Sequence, residues 1–106
     1  MTKNEQISNV MGWEYFPESG PFPFHNGDQW FDLTPWEVVK EMQAKMVADG
    51  HQVIISQDNE HFTSAIAFVL NKEMEWDEID VYINRIDATA ELAAIVELFC
   101  RVYGIK

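Results

Sequence analysis

Apolar positions along the chain change period several times, and each change marks an element. Ile7, Val10 and Met11 recur at helical spacing behind Thr2 and Glu5, a capping-box pair, and Gly12 supplies a left-handed stop. The stretch from Trp13 to Leu33 then loses all period. Pro17, Pro21 and Pro23, with Gly20 and Gly27, exclude a helix there and all but the briefest edge strands. A second helix follows, with Thr34 as the expected cap, Pro35 at the first helical position and Glu37 completing the box. Val39, Met42 and Met46 form its apolar stripe, widened by Val38 and Trp36, and Asp49-Gly50 ends it.

The period then shortens to that of strands. Val53, Ile54 and Ile55 lie in a strand spanning 51–56, and Gln57, Asp58, Asn59 and Glu60 predict a turn. From Phe62 to Leu70 both alternating faces are apolar, with Phe62, Ile66, Phe68 and Leu70 on one and Ala65, Ala67 and Val69 on the other. This predicts a strand buried on both sides, although period alone leaves a buried helix open. Ile79, Val81 and Ile83 alternate with Asp80, Tyr82 and Asn84, the pattern of a strand with one wet face. Asp87 can cap a final helix in which Leu92, Ile95, Val96, Phe99, Val102 and Tyr103 fill an arc of roughly 120° before Gly104. A doubly apolar middle strand needs cover on both faces, and helices are the elements available. The fold expected is therefore α+β, a three-layer α/β/α sandwich with an antiparallel sheet of three or four strands between helices. Trp36, Val39, Met42, Ile66, Phe68, Ile95 and Phe99 are expected in one core.

Composition narrows the function classes. The 106 residues, 47% hydrophobic, suit a single domain over residues 1–106. No apolar run approaches the ~20 residues of a membrane span, and the polar segment Met1–Gln6 predicts no secretory leader. With one cysteine, Cys100, no intrachain disulfide can form, and a cytoplasmic location is expected. Eighteen Asp and Glu against seven Lys and Arg give a net charge of -11, which disfavours direct nucleic-acid binding and anionic membranes while steering the chain toward basic partners.

The residues also resemble a known family. Asn9, Val10, Met11, Gly12 and Trp13 after the first helix, Pro35 through Met42 in the second, and an Ala-rich final helix are similar to the phage "ABA sandwich" domains. That resemblance implies a small phage or prophage protein with a three-layer α/β/α fold, and it brings no catalytic residues with it. The aromatic, Pro-rich stretch and the acidity depart from the family's pattern.

Catalytic and metal signatures are absent from the sequence. His25, His51 and His61 lie far apart, with His61 near Asp58 and Glu60 offering at most a weak turn-borne site, so no metal and no cofactor are expected. Cys100 sits beside an apolar arc near a helix C-terminus, a setting for a structural thiol. No enzyme is expected.

Two features point to binding. The first is the acidic run Glu73, Glu75, Asp77, Glu78 and Asp80 with Trp76 inside it, either a solvated strand edge or a surface that docks on a basic host protein. The second is the stretch holding Trp13, Tyr15, Phe16, Phe22, Phe24, Trp30, Phe31 and Trp36, from which Tyr15, Phe22, Phe24 and Trp30 form a second candidate surface if they are not core. The function expected is a phage accessory protein that binds and blocks a host protein, as in counter-defence, within the host cytoplasm, with homo-oligomerisation open. Two alternatives stand beside it: a sponge for a small signalling nucleotide, for which Lys72, Arg85 and Arg101 are few phosphate ligands, and a structural phage protein.

Overall fold

The computed structural model describes residues 1–57 and 62–106; the expected turn at Asp58, Asn59 and Glu60, and the His61 site beside it, lie outside the described residues. The elements run α1 (Lys3–Met11), β1 (Glu14–Tyr15), β2 (Phe24–Asn26), β3 (Gln29–Phe31), α2 (Trp36–Ala48), β4 (Gln52–Gln57), β5 (Thr63–Leu70), β6 (Trp76–Ile83) and α3 (Ala88–Val102). The architecture is α+β, with three helices and two antiparallel three-stranded sheets in the orders β1-β2-β3 and β4-β5-β6.

Local chemistry sets most helix ends. Thr2 Oγ1 accepts from the Glu5 N–H at 3.2 Å, and Gly12 closes α1 with φ 75°. Asp87 caps α3, its Oδ1 accepting from the Ala90 N–H at 2.7 Å and from the Thr89 hydroxyl at 2.6 Å. At the other end Gly104 turns left-handed, so that the Ile105 N–H reaches the Cys100 carbonyl at 2.7 Å. The start of α2 differs from expectation. Thr34 turns its hydroxyl back onto Asp32 Oδ1 at 2.6 Å, Pro35 occupies the cap position without a side-chain cap bond, and the helix begins at Trp36. An acceptor two residues upstream outcompetes the orphan helix amides for the Thr34 side chain.

The buried face of α2 is the expected one: Val39, Met42 and Met46 are fully buried. Trp36 is not part of it. It stays 40% exposed on an outward stripe, where Lys40 lies over its ring at 5.6 Å. α3 is buried more widely than a single arc. Ala90, Ala94 and Leu98 are as inaccessible as Ile95 and Phe99, because small residues let neighbouring elements close on this helix from more than one side.

The larger sheet is where the expected layering changes. In register, Val53–Ala67–Ile79, Ile55–Ala65–Val81 and Gln57–Thr63–Ile83 share one face, and α3 packs on it with α2 alongside over β4. Ala65 and Ala67 are fully buried there, and buried Thr63 donates its hydroxyl to the Arg85 carbonyl at 2.8 Å. The opposite face carries Gln52–Phe68–Glu78, Ile54–Ile66–Asp80, Ser56–Ser64–Tyr82 and Leu70–Trp76. Ile54, Leu70, Trp76 and Tyr82 are all exposed on it, and Ile66 and Phe68 only half-buried. Among the described residues the cover expected on both faces is therefore found on one, and Ile66 and Phe68 are half-buried and not fully buried core residues. The smaller sheet and the residue before it join the same hydrophobic cluster as the three helices through Trp13, Phe24 and Phe31.

Candidate functional site

The acidic run is dispersed by the strand it enters. Asn71 organises the β5–β6 turn, its N–H donating to the Glu75 carbonyl at 2.7 Å while its Oδ1 accepts from the Glu73 and Glu75 amides at 2.9 Å each. Met74 takes a left-handed φ of 64° at the turn and is exposed. Glu73 and Glu75 thus belong to the turn. Along β6 the side chains alternate, so Trp76, Glu78 and Asp80 share the open face while Asp77 falls on the helix-bearing face, held by the Asn71 amide at 3.3 Å. The six residues expected to form one surface divide among three settings, and three of them meet residues that were expected to be buried.

The open face is an apolar floor with a carboxyl pair on one strand. Ile66 and Phe68 lie in the middle strand, Ile54 on one side and Trp76 and Tyr82 on the other, with Asp80 directly across from Ile66 and Glu78 across from Phe68. Hydrogen bonding to Asp80 and repulsion from it push the Glu78 carboxyl above the ordinary carboxylate range. Asp80 Oδ1 is inaccessible to solvent and has no hydrogen-bond partner among the described residues. Two carboxyls two residues apart on one face, over an aliphatic and aromatic floor, suit a cationic side chain whose stem packs on Ile66 and Phe68 while its head meets both acids.

This arrangement predicts a charge effect of definite sign. A carboxyl whose folded pKa is raised binds its proton more tightly folded than unfolded, so stability rises as pH falls through that raised pKa toward the unfolded value. Glu78→Gln removes the repulsion at neutral pH. It should melt at a higher temperature than the parent near pH 7, and the difference should shrink as pH enters the carboxylate range. Melting curves across pH check this, and a variant less stable at neutral pH contradicts it.

The aromatic stretch is both core and surface, sorted by register. Glu14–His25–Trp30 share one face of the small sheet and Tyr15–Phe24–Phe31 the other. Phe24 is 1% exposed, packs edge-on to Trp13 at 5.8 Å and stacks on Phe31 at 5.9 Å, while Tyr15 is half-buried beside it. Phe24 and Tyr15 therefore leave the second candidate surface. Phe22 and Trp30 remain exposed, joined by Phe16 at 5.5 Å from the Trp30 ring and by His25 at 4.5 Å. His25 Nδ1 lies 3.2 Å from Glu14 Oε1. This is a small outer cluster on a three-residue hairpin, narrower than the open face of the main sheet.

No three His, Cys, Asp or Glu side chains among the described residues converge as a metal set. Cys100 is buried, and burial pushes its thiol above the ordinary range, away from nucleophilic reactivity. No helix among the described residues is long and apolar enough to cross a membrane. Ile54, Ile66, Phe68 and Tyr82 were not readable as site residues one by one; the signal was β5 itself, apolar on both faces in a chain with few helices to cover them. The chain matches no protein-family model, no curated protein and no solved structure.

Proposed function

We propose that this protein is a non-enzymatic binding protein that takes a basic protein surface onto the open face of its main sheet. The observation that carries the proposal is an exposed apolar sheet face, from Ile54 through Ile66 and Phe68 to Trp76 and Tyr82, with Glu78 and Asp80 set into it. Contiguous apolar surface rimmed by charge marks interaction sites, and a chain of net charge -11 steers toward basic partners. A partner seated there would complete in trans the layer that a three-layer sandwich requires. The resemblance to phage ABA sandwich domains, the small size and the acidity support the finer reading, a phage accessory protein that blocks a host protein in the cytoplasm, as in counter-defence.

Affinity capture from host cells with three double variants tests this. Trp76→Ala with Tyr82→Ala removes the aromatic floor and should abolish capture of the partner. Glu78→Gln with Asp80→Asn should slow association and flatten its salt dependence, because steering by charge is screened over ~8 Å at cellular ionic strength. Phe22→Ala with Trp30→Ala should leave capture intact. Capture that survives the first two changes, or disappears with the third, moves the site to the small sheet.

A further inference from the structure

The main sheet ends in β4 on one side and β6 on the other, and these edge strands differ in kind. β6 is guarded: Asp77, Glu78 and Asp80 lie along it, and Arg101 reaches over from α3 to donate its Nη1 to the Asp80 carbonyl at 2.7 Å. Charge and capped carbonyls are how natural edges avoid pairing with other strands. β4 has neither. Its six residues, Gln52, Val53, Ile54, Ile55, Ser56 and Gln57, include no charge and no proline. It is the end strand of the order β4-β5-β6, and its outer backbone groups meet no partner among the described residues. Every one of its side chains is exposed or half-buried, including Val53 and Ile55 on the helix-bearing face. α2, which packs over it, leaves Trp36, Ala44, Val47 and Ala48 exposed.

We infer that β4 pairs with the β4 of a second copy of this chain, antiparallel about a two-fold axis, to make one continuous six-stranded sheet. Charge selects the occupant. Two chains of net charge -11 repel wherever carboxylates face each other, and β4 is the sheet edge at which they can meet without opposing any. A basic partner, by contrast, finds no acid on this strand to pair with. Symmetry and pattern then fix the register. Directly opposed residues of antiparallel strands share a face, so a two-fold pairing must pass its axis through a residue. With the axis at Ile54, Val53 opposes Ile55 of the partner subunit, Gln52 opposes Ser56 of the partner subunit, and Ile54 opposes itself. With the axis at Ile55, Val53 would oppose a glutamine and Ile54 a serine. The Ile54 register matches apolar with apolar and polar with polar along the strand. Such a dimer carries both open faces on the same side of one sheet, and it is a claim independent of what those faces bind.

Sedimentation equilibrium of the whole chain tests it, with cysteine crosslinking as a second readout. The parent should show twice the 12.3 kDa chain mass at high protein concentration. Ile54→Cys should form an intermolecular disulfide on mild oxidation, since opposed residues across antiparallel strands lie at about 4.5–5.5 Å between Cα atoms, within disulfide reach. Ile55→Cys should crosslink at least tenfold more slowly, and buried Cys100 does not compete. Ile54→Lys, which opposes two charges at the axis, should sediment as a folded monomer by circular dichroism, whereas Trp76→Ala should remain dimeric. A monomeric parent, a dimer that persists in Ile54→Lys, or crosslinking at position 55 in place of 54 overturns the inference. Should Ile54→Lys fail to fold, the rate ratio between the two cysteine variants decides alone.

Discussion

Phe99→Ala should lower the melting temperature by roughly 12 °C or more. Phe99 is fully buried in α3 and packs on Tyr103 at 4.6 Å between ring centroids. Truncating a buried phenylalanine costs about 3–5 kcal/mol, from lost transfer energy and from the cavity left behind. That is a large share of the about 5–15 kcal/mol that holds a domain of this size folded, and each kilocalorie moves the midpoint by about 4 °C or more. The core cluster that Phe99 belongs to also holds Ala65, Ala67 and Ala94, side chains too short to fill a cavity of that size. An unchanged melting curve would remove α3 from the centre of the fold.

A comparable loss, about 3–5 kcal/mol, is expected for Phe24→Ala, while Trp30→Ala should stay within about 0.5 kcal/mol of the parent. The two residues lie on adjacent strands of one hairpin, yet Phe24 is 1% exposed and Trp30 49%. Phe24 is held among Trp13, Tyr15 and Phe31 by contacts of 5.3–5.9 Å between centroids, and such aromatic pairs add to the energy of burial itself. Thermal unfolding of both variants separates the inner from the outer face of the small sheet. Equal losses would mean that the hairpin has no inner face, and that its aromatic residues share one role.

The local signals in the sequence were reliable where a residue acts on its own neighbours. Thr2 and Asp87 cap, Gly12 and Gly104 stop, and the Val39–Met42–Met46 stripe faces inward, because each depends on a few residues of backbone. Thr34 failed as a cap for a reason just as local, an aspartate two residues away that also attracts its hydroxyl. What could not be read was which element covers which face. β5 is apolar on both sides, and its pattern states that burial is favourable without stating what supplies it. Linear proximity also misled at the acidic run. Five carboxylates close in sequence looked like one surface, but a strand sends neighbours to opposite faces, so Asp77 parted from Glu78 and Asp80. The aromatic stretch needed the same correction, since only the hairpin register distinguishes Phe24 and Phe31 from His25 and Trp30.

If the open face of the β4-β5-β6 sheet is the docking surface, hydroxyl-radical footprinting of the protein alone and in its captured complex will show it. Trp76 and Tyr82 are 51% and 61% exposed and are reactive reporters on that face, while Trp30, 49% exposed, reports from the small sheet. All three should be oxidised readily in the free protein. In the complex, Trp76 and Tyr82 should become protected at least several-fold while Trp30 reacts as before. Undiminished oxidation of Trp76 and Tyr82 in a complex that remains assembled would place the docking surface elsewhere.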